Sequence, residues 1–84
     1  MQITLKLYAG LTGMLPVGAK RHAVQITVPA DATVHTIIDK FNVPRAMAHL
    51  VLLNGVYLHP EERDQRAKLK EGDTLAIWPP VAGG

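Results

Sequence analysis

The sequence predicts an α+β domain: a mixed sheet of four to five strands with one main helix packed on one face. Three observations lead to this prediction. Apolar and polar residues alternate in two early segments, which is the period of half-buried strands. A later segment has the period of an amphipathic helix. An Asn-Gly pair then separates two apolar runs, which is the strongest short signal for a β-hairpin.

The first two strands are predicted at residues 2–8 and 23–29, where every second residue is apolar. The connection, residues 9–18, is rich in glycine and contains Pro16, so we interpret it as a loop. The two strands should therefore pair as a hairpin with a long connection. The residues expected on their buried side are Ile3, Leu5, Leu7, Val24, Ile26 and Val28.

The helix is predicted from four apolar residues at positions i, i+3, i+4 and i+7. They are Val34, Ile37, Ile38 and Phe41. Thr33 is the expected N-cap, because its hydroxyl can accept a hydrogen bond from an otherwise unpaired backbone N–H, and Asp31 is the rival cap. Pro44 disfavours helical geometry at the residue before it, so the helix should end by about Asn42.

A second hairpin is predicted at residues 50–58. Its two apolar runs, 50–53 and 56–58, are joined by Asn54 and Gly55. This pair suits a type I′ turn, because both central residues of that turn need a positive φ.

The last strand is predicted at residues 74–78, after a polar stretch with one short helical turn at 59–69 and a turn at 71–73. A hairpin, a helix, a second hairpin and a closing strand form the β-grasp arrangement, which we assign to residues 1–78. Residues 79–84 form a separate tail. The expected core consists of Ile3, Leu5, Val24, Ile26, Ile37, Ile38, Leu52, Leu75 and Ile77.

Composition excludes several classes of function. The 84 residues include no cysteine, so disulfides, thiol nucleophiles and thiolate-bound metals are ruled out. The net charge of +2 is small and the basic residues are scattered, which argues against nucleic-acid binding. The start of the chain does not resemble a signal peptide, and the longest apolar run is far below the roughly 20 residues of a membrane span. We therefore expect a cytoplasmic protein that binds no membrane.

Several polar or aromatic side chains are candidates for a functional site. The four histidines, at positions 22, 35, 49 and 59, lack the spacing of a metal site, so no metal is expected. Arg63, Asp64 and Arg66 are expected to be solvated. Trp78 is either a core residue under the helix or an exposed anchor for a partner, and the sequence leaves both readings open.

The final segment reads Pro79-Pro80-Val81-Ala82-Gly83-Gly84. The prolines cannot donate to a sheet and favour an extended course, so they should end the last strand. Six extended residues reach about 20 Å, and glycines can pass through a narrow channel. We expect this tail to be flexible and its terminal carboxylate to be the reactive group. Adenylation would activate that carboxylate, and a sulfur nucleophile could then replace AMP to give a thiocarboxylate.

Segments along the whole chain resemble the MoaD/ThiS family of ubiquitin-like sulfur carriers. They are Ile3-Thr4-Leu5-Lys6-Leu7-Tyr8-Ala9, Pro29-Ala30-Asp31-Ala32-Thr33-Val34, Leu53-Asn54-Gly55, and Leu69-Lys70-Glu71-Gly72-Asp73-Thr74-Leu75-Ala76-Ile77. The tail resembles the MoaD branch in particular, whereas Leu11-Thr12-Gly13 and the short segment around Val43-Pro44 depart from the usual pattern.

This resemblance implies a role in molybdopterin (molybdenum cofactor) synthesis. An ATP-dependent enzyme of the ubiquitin-activating type would adenylate Gly84, a sulfur donor would form the thiocarboxylate, and residues 79–83 would insert into the large subunit of molybdopterin synthase. The carrier itself would bind no cofactor and would serve as a non-catalytic subunit. Alternatives are a carrier for thiamine, cysteine or tungsten-cofactor synthesis, a ubiquitin-like protein modifier, or an interaction module with an inert tail. A carrier that binds two enzymes in turn should also have an apolar docking face on the side of the sheet away from the helix.

Overall fold

The computed structural model describes residues 1–66 and 68–80. In these residues five strands form one sheet in the order β2-β1-β5-β3-β4, and one α-helix crosses it. The elements are β1 (Gln2–Leu7), β2 (Ala23–Thr27), α1 (Val34–Lys40), β3 (Leu50–Leu53), β4 (Val56–Tyr57) and β5 (Thr74–Trp78). The predicted fold class and order of elements are confirmed.

The last strand of the chain occupies the centre of the sheet. β5 pairs in parallel with β1 and antiparallel with β3, while β1–β2 and β3–β4 form the two antiparallel hairpins. Leu5 lies opposite both Leu75 of β5 and Val24 of β2. The sheet is thus mixed, as a β-grasp fold requires.

The hydrophobic core lies between the sheet and α1. Its largest fully buried side chains are Ile3, Leu5, Leu7, Leu11, Val34, Ile37, Ile38, Val51, Leu75 and Ile77. The expectation that Leu52 belongs to this core is wrong. Leu52 is opposite Ala76 and Tyr57 and is half-buried on the other face, because Val51, paired with Ile77, points to the helix. Neighbouring residues of a strand point to opposite faces.

The ends of α1 follow the predicted signals. Thr33 is the N-cap: its hydroxyl oxygen accepts from the Thr36 N–H at 3.1 Å, and the Thr36 hydroxyl accepts from the Thr33 N–H at 3.4 Å. This reciprocal pair satisfies two N–H groups that the first helical turn leaves free. Asp31 is exposed and makes no such bond, so the rival cap is wrong. The helix ends at Lys40, before Asn42 as predicted.

The connections contain three short 3₁₀ turns in the described residues: Ala9–Met14, Arg45–Met47 and Pro60–Glu62. The first lies in the segment interpreted as a loop, and it is held in place by Leu11, which is buried in the core. The third is the short helical turn expected within residues 59–69. In the hairpin turn, Asn54 and Gly55 have φ values of 51° and 83°, both positive as the type I′ turn requires.

None of the helices in residues 1–66 and 68–80 has the length and apolar character needed to cross a membrane.

Candidate functional site at the base of the tail

The tail begins at the end of the central strand. The N–H of Tyr8 donates to the carbonyl oxygen of Ile77 at 3.1 Å, and the N–H of His49 donates to the carbonyl oxygen of Trp78 at 3.0 Å. The end of β5 is thus held from the β1 side and from the β3 side. Pro79 and Pro80 have no N–H to continue the ladder, so β5 ends at Trp78, as predicted.

An aromatic stack lies at this point. The rings of Tyr8 and Trp78 are parallel, with centroids 4.2 Å apart and planes 2° apart. His22 packs on Tyr8 at 4.3 Å with a tilt of 35°. Trp78 is partly exposed on the face opposite to Leu75 and Ile77, so the reading in which it fills the core under the helix is wrong. It remains available as an anchor for a partner.

Trp78 belongs to an apolar surface on the side of the sheet away from α1. We call this surface the open face, and its residues are Tyr8, Leu50, Leu52, Tyr57, Ala76 and Trp78. Directly paired residues of neighbouring strands point to the same side, which places Leu50 beside Trp78, and Leu52 beside Ala76 and Tyr57. Leu50 is 38% exposed and Tyr57 is 39% exposed. The expected apolar side is therefore present, and its role in docking stays a prediction.

Most residues of β1 and β2 on the same side of the sheet are polar: Gln2, Thr4, Lys6, Gln25 and Thr27. An open depression of about 400 Å³ lies beside β2 and is lined by Thr4, Gly18, Lys20, Ala23, Val24 and Gln25. The apolar open face thus has a polar flank on the β2 side, and it adjoins the tail at Trp78.

The four histidines make different contacts in different parts of the structure. His22 packs on Tyr8, His59 meets the edge of the Tyr57 ring, and the side chain of His49 is exposed. Nδ1 of His35 lies 2.9 Å from a carboxylate oxygen of Asp64, which is ion-pair distance without the alignment of a hydrogen bond. Within the described ranges, no group of three or more histidine or acidic side chains could hold a metal ion.

Arg63 is not solvated, contrary to the sequence-based expectation. It is 5% exposed, and its guanidinium donates to the carbonyl oxygen of Ala48 at 2.9 Å and to that of Leu58 at 2.9 and 3.2 Å. The polar residues around it in sequence gave no signal of burial. Arg66 is exposed, as expected, and Asp64 is exposed beside His35.

Two carboxyl groups, of the exposed Asp39 and the half-buried Glu62, have pKa values lowered by neighbouring donors. The hydrogen bond from Arg45 holds the pKa of Asp39 below its ordinary value, and the two side chains meet at 2.9 Å. A hydrogen bond from Lys68, followed by one from the His59 N–H, lowers the pKa of Glu62. Both carboxyl groups stabilise local turns through these bonds, and neither belongs to the open face.

The residues predicted to carry the chemistry are only partly described. Pro79 is half-buried at the end of β5 and Pro80 is exposed. Val81, Ala82, Gly83 and Gly84, which make up most of the tail predicted to be flexible, lie outside the described residues.

Comparison with solved structures places the fold among small ubiquitin-like proteins. SAMP1 from Haloferax volcanii is 26% identical, with a TM-score of 0.68 and complete coverage of both chains. A putative molybdopterin converting factor subunit 1 from Pyrococcus furiosus is 20% identical, with a TM-score of 0.64 over 95% of this chain and 98% of that one. A complex of subunits 1 and 2 of the molybdopterin-converting factor from Helicobacter pylori contains a chain that is 17% identical, with a TM-score of 0.59 and complete coverage of both chains.

No curated protein is significantly similar to this sequence. The ThiS family model, however, matches residues 17–84, which is most of the chain and includes the tail. The chain therefore belongs to the ThiS family, and its β-grasp fold is that of the ubiquitin-like sulfur carriers and modifiers of the MoaD/ThiS type.

Proposed function

We propose that this protein carries sulfur as a thiocarboxylate on Gly84 and donates it for molybdopterin synthesis. A carboxylate oxygen of Gly84 attacks the α-phosphorus of ATP on an activating enzyme, and pyrophosphate leaves. A sulfide equivalent then attacks the carbonyl carbon of the acyl-adenylate, a C–S bond forms, and AMP leaves as the C–O bond breaks. The carrier supplies the acyl group, while the ATP site belongs to the activating enzyme, which we propose to be of the ubiquitin-activating type.

The observation that carries this proposal is the family match through the last residue. A fold alone hosts many functions, so the chemistry of the reacting group decides whether a chain can transfer sulfur. In this sequence the matched segment ends in Gly83-Gly84, and no cysteine is present to carry sulfur on a side chain. The acyl carbon of Gly84 is therefore the sulfur-carrying group that the proposal names.

The position of the tail supports the same proposal. The tail leaves the central strand at Trp78, directly beside the exposed apolar side chain of Leu50. A partner that covers the open face thus meets the start of the tail, whose six residues reach about 20 Å when extended. We propose that the activating enzyme and the sulfur acceptor use this face in turn.

The acceptor in this proposal is the large subunit of molybdopterin synthase. Support comes from the Pro79-Pro80 pair in a tail of MoaD type. The fold is also shared with chains described as subunit 1 of a molybdopterin converting factor, one of them in a complex with subunit 2. Thiamine, cysteine and tungsten-cofactor synthesis are the alternative destinations.

Intact mass spectrometry of the protein purified from its own cells tests the sulfur chemistry. We expect a fraction of the chain whose mass is increased by the difference between one sulfur and one oxygen atom, with the change confined to the peptide ending in Gly84. Loaded protein mixed with a molybdopterin synthase large subunit and the sulfur-free pterin should lose that mass. A chain that is never loaded by an activating enzyme, ATP and sulfide would refute the carrier function, and loaded protein that keeps its sulfur would refute the molybdopterin destination.

A second candidate is a protein modifier joined to lysines through Gly84. The observation that favours it is the 26% identity, over complete chains, to SAMP1, and a second structure of similar identity is described as small archaeal modifier protein 1 of H. volcanii. The same acyl-adenylate can react with a lysine amine instead of sulfide, so the two functions share one activation step. Peptide sequencing of cellular conjugates separates them: a modifier leaves Gly83-Gly84 joined to a lysine side chain of other proteins.

A further inference from the structure

We propose that Arg63 is a positioning residue for the tail, acting from inside the domain through the backbone that holds Trp78. This inference rests on the proposed function, because it concerns how the sulfur-carrying tail is presented to enzymes.

The buried guanidinium of Arg63 binds backbone carbonyl groups. Arg63 is 5% exposed. Every hydrogen bond of its guanidinium is accepted by a backbone carbonyl oxygen, those of Ala48, Leu58 and, at 3.5 Å, His49. A buried charge is costly unless its donors are satisfied. A guanidinium has five N–H donors in a fixed plane, so it can tie several carbonyls together in one geometry. Arg63 therefore joins the start of β3 to the end of β4.

One of these carbonyl groups belongs to a residue that also holds the end of β5, directly before the tail. His49, whose carbonyl faces Arg63, uses its N–H to hold the carbonyl oxygen of Trp78 at 3.0 Å. Trp78 is followed by two prolines that cannot donate to the ladder. One peptide segment, Ala48–His49, thus connects Arg63 to Trp78, the residue directly before the tail.

Arg63 also contacts α1 and the open face. Arg63 is itself fixed to α1, because its carbonyl accepts from the His35 N–H at 2.9 Å. Its guanidinium carbon also lies 5.9 Å from the centre of the Tyr57 ring, a residue of the open face. Arg63 therefore links the helix, the open face and the end of β5 from which the tail departs. Its loss should loosen the hydrogen bond between His49 and Trp78, while the bond between Tyr8 and Ile77 stays formed.

The test uses Arg63→Lys, which keeps the charge but loses the planar set of donors, with Arg66→Lys as the matched control on an exposed arginine. Amide hydrogen exchange is followed by NMR at His49, Tyr8 and Asn54. Tyr8 and Asn54 donate to other carbonyls of β5, those of Ile77 and Thr74, and serve as internal references. We expect Arg63→Lys to accelerate exchange at His49 at least about tenfold and at the two references less than about threefold, because local opening exposes only part of a structure.

Two exchange results would overturn the inference: no acceleration at His49, or an equal acceleration at all three amides, which would mean that Arg63 only adds global stability. If Arg63→Lys does not fold, exchange in the wild-type chain decides. The exchange rates of the His49 N–H and the Arg63 Nε–H must then depend on denaturant concentration in the same way. A difference between the two dependences contradicts the proposal.

A kinetic experiment links this position to function. With the activating enzyme, ATP and sulfide, Arg63→Lys should raise the carrier concentration for half-maximal loading about fivefold and change the maximal rate less than about twofold, since presentation of the tail affects docking more than chemistry. An unchanged half-maximal concentration refutes the role in tail positioning. If the wild-type chain is never loaded with sulfur, the proposed function is refuted instead. The exchange experiment then still tests whether Arg63 holds the bond between His49 and Trp78.

Discussion

Tyr8 and Trp78 stack face to face at the point where the domain ends and the tail begins. Their ring centroids are 4.2 Å apart and their planes differ by 2°. Tyr8 follows β1 and Trp78 ends β5, so the stack joins the ends of two parallel neighbours in the sheet. This pair covers the base of the tail and also forms one end of the open face, which couples the stability of the tail base to the surface offered to partners.

The stack should be measurable as a coupling energy. Stacked aromatic pairs contribute about 0.5–1.5 kcal/mol beyond their buried area. We expect a double-mutant cycle of Tyr8→Ala and Trp78→Ala to give a coupling of about 1 kcal/mol in the free energy of unfolding. Urea titrations followed by circular dichroism provide the free energies of unfolding. Tryptophan fluorescence cannot be used, because Trp78 is the single tryptophan and is replaced in the cycle. A second double-mutant cycle, of Tyr57→Ala and Trp78→Ala, is the control. The prediction is contradicted if the coupling energy between Tyr8 and Trp78 is no larger than that between Tyr57 and Trp78.

The open face should bind partners through Leu50. Leu50→Asp places a charge on the exposed apolar side chain beside Trp78, and we expect the affinity for the activating enzyme to fall at least about tenfold, or about 1.4 kcal/mol. Val56→Asp is a matched control, because Val56 is 68% exposed but is paired with Leu53 on the helix side of the sheet. Isothermal titration calorimetry measures both. Equal losses for the two variants would count against the open face as the docking surface.

Deletion of Gly84 should separate activity from stability. The core is built from residues of the domain, so we expect the free energy of unfolding to change by less than about 0.5 kcal/mol, as is usual for surface changes. Sulfur loading should be abolished, because the carboxylate moves back by about 3.5 Å and no longer reaches the α-phosphate of ATP. Addition of one residue should fail equally. A Val81→Ala chain, whose tail keeps its length, is the control, and normal loading of the shortened chain would disprove the role of Gly84.

The cap of α1 offers a test of the fold. Thr33→Ala removes the hydroxyl that accepts from Thr36, and we expect it to lower the free energy of unfolding by about 1 kcal/mol. Asp31→Ala, at the exposed rival position, should change it by less than about 0.5 kcal/mol. Urea titrations of both variants decide between the caps. The reverse ranking would show that Asp31 caps the helix in solution.

The Asp39–Arg45 pair should make stability depend on pH in the acid range. The hydrogen bond from Arg45 lowers the pKa of Asp39 in the folded state, so the unfolded state binds a proton more readily. The contribution of the pair is therefore complete above the ordinary carboxyl pKa and is lost as the pH falls through the lowered pKa. We expect the difference in urea midpoint between wild type and Asp39→Asn to be present at neutral pH and to vanish in strong acid. A difference that is constant with pH would exclude this linkage.

Local patterns in the sequence determined the elements and most of their ends. Asn54 and Gly55 adopt the positive φ values of their turn, and Thr33 caps α1, because turn and cap chemistry depends on a few adjacent residues. Alternation placed Ile3, Leu5 and Leu7 on one face, as the structure confirms. The prolines after Trp78 ended β5 for the equally local reason that they lack an N–H.

Only the tertiary structure decided which apolar residues of a continuous run are buried and which polar residue leaves solvent. In the run 50–53 all four residues are apolar, so the pairing of Val51 with Ile77 was needed to send Leu52 to the open face. The burial of Arg63 depends on carbonyls of Ala48 and Leu58 that approach it only after folding. Likewise, the alternation of side chains along β5 places Trp78 on the other face of the sheet from Leu75. Its stacking partner, Tyr8, however, comes from the other end of the chain. Register and long-range hydrogen bonds join residues distant in sequence, and no local pattern encodes them.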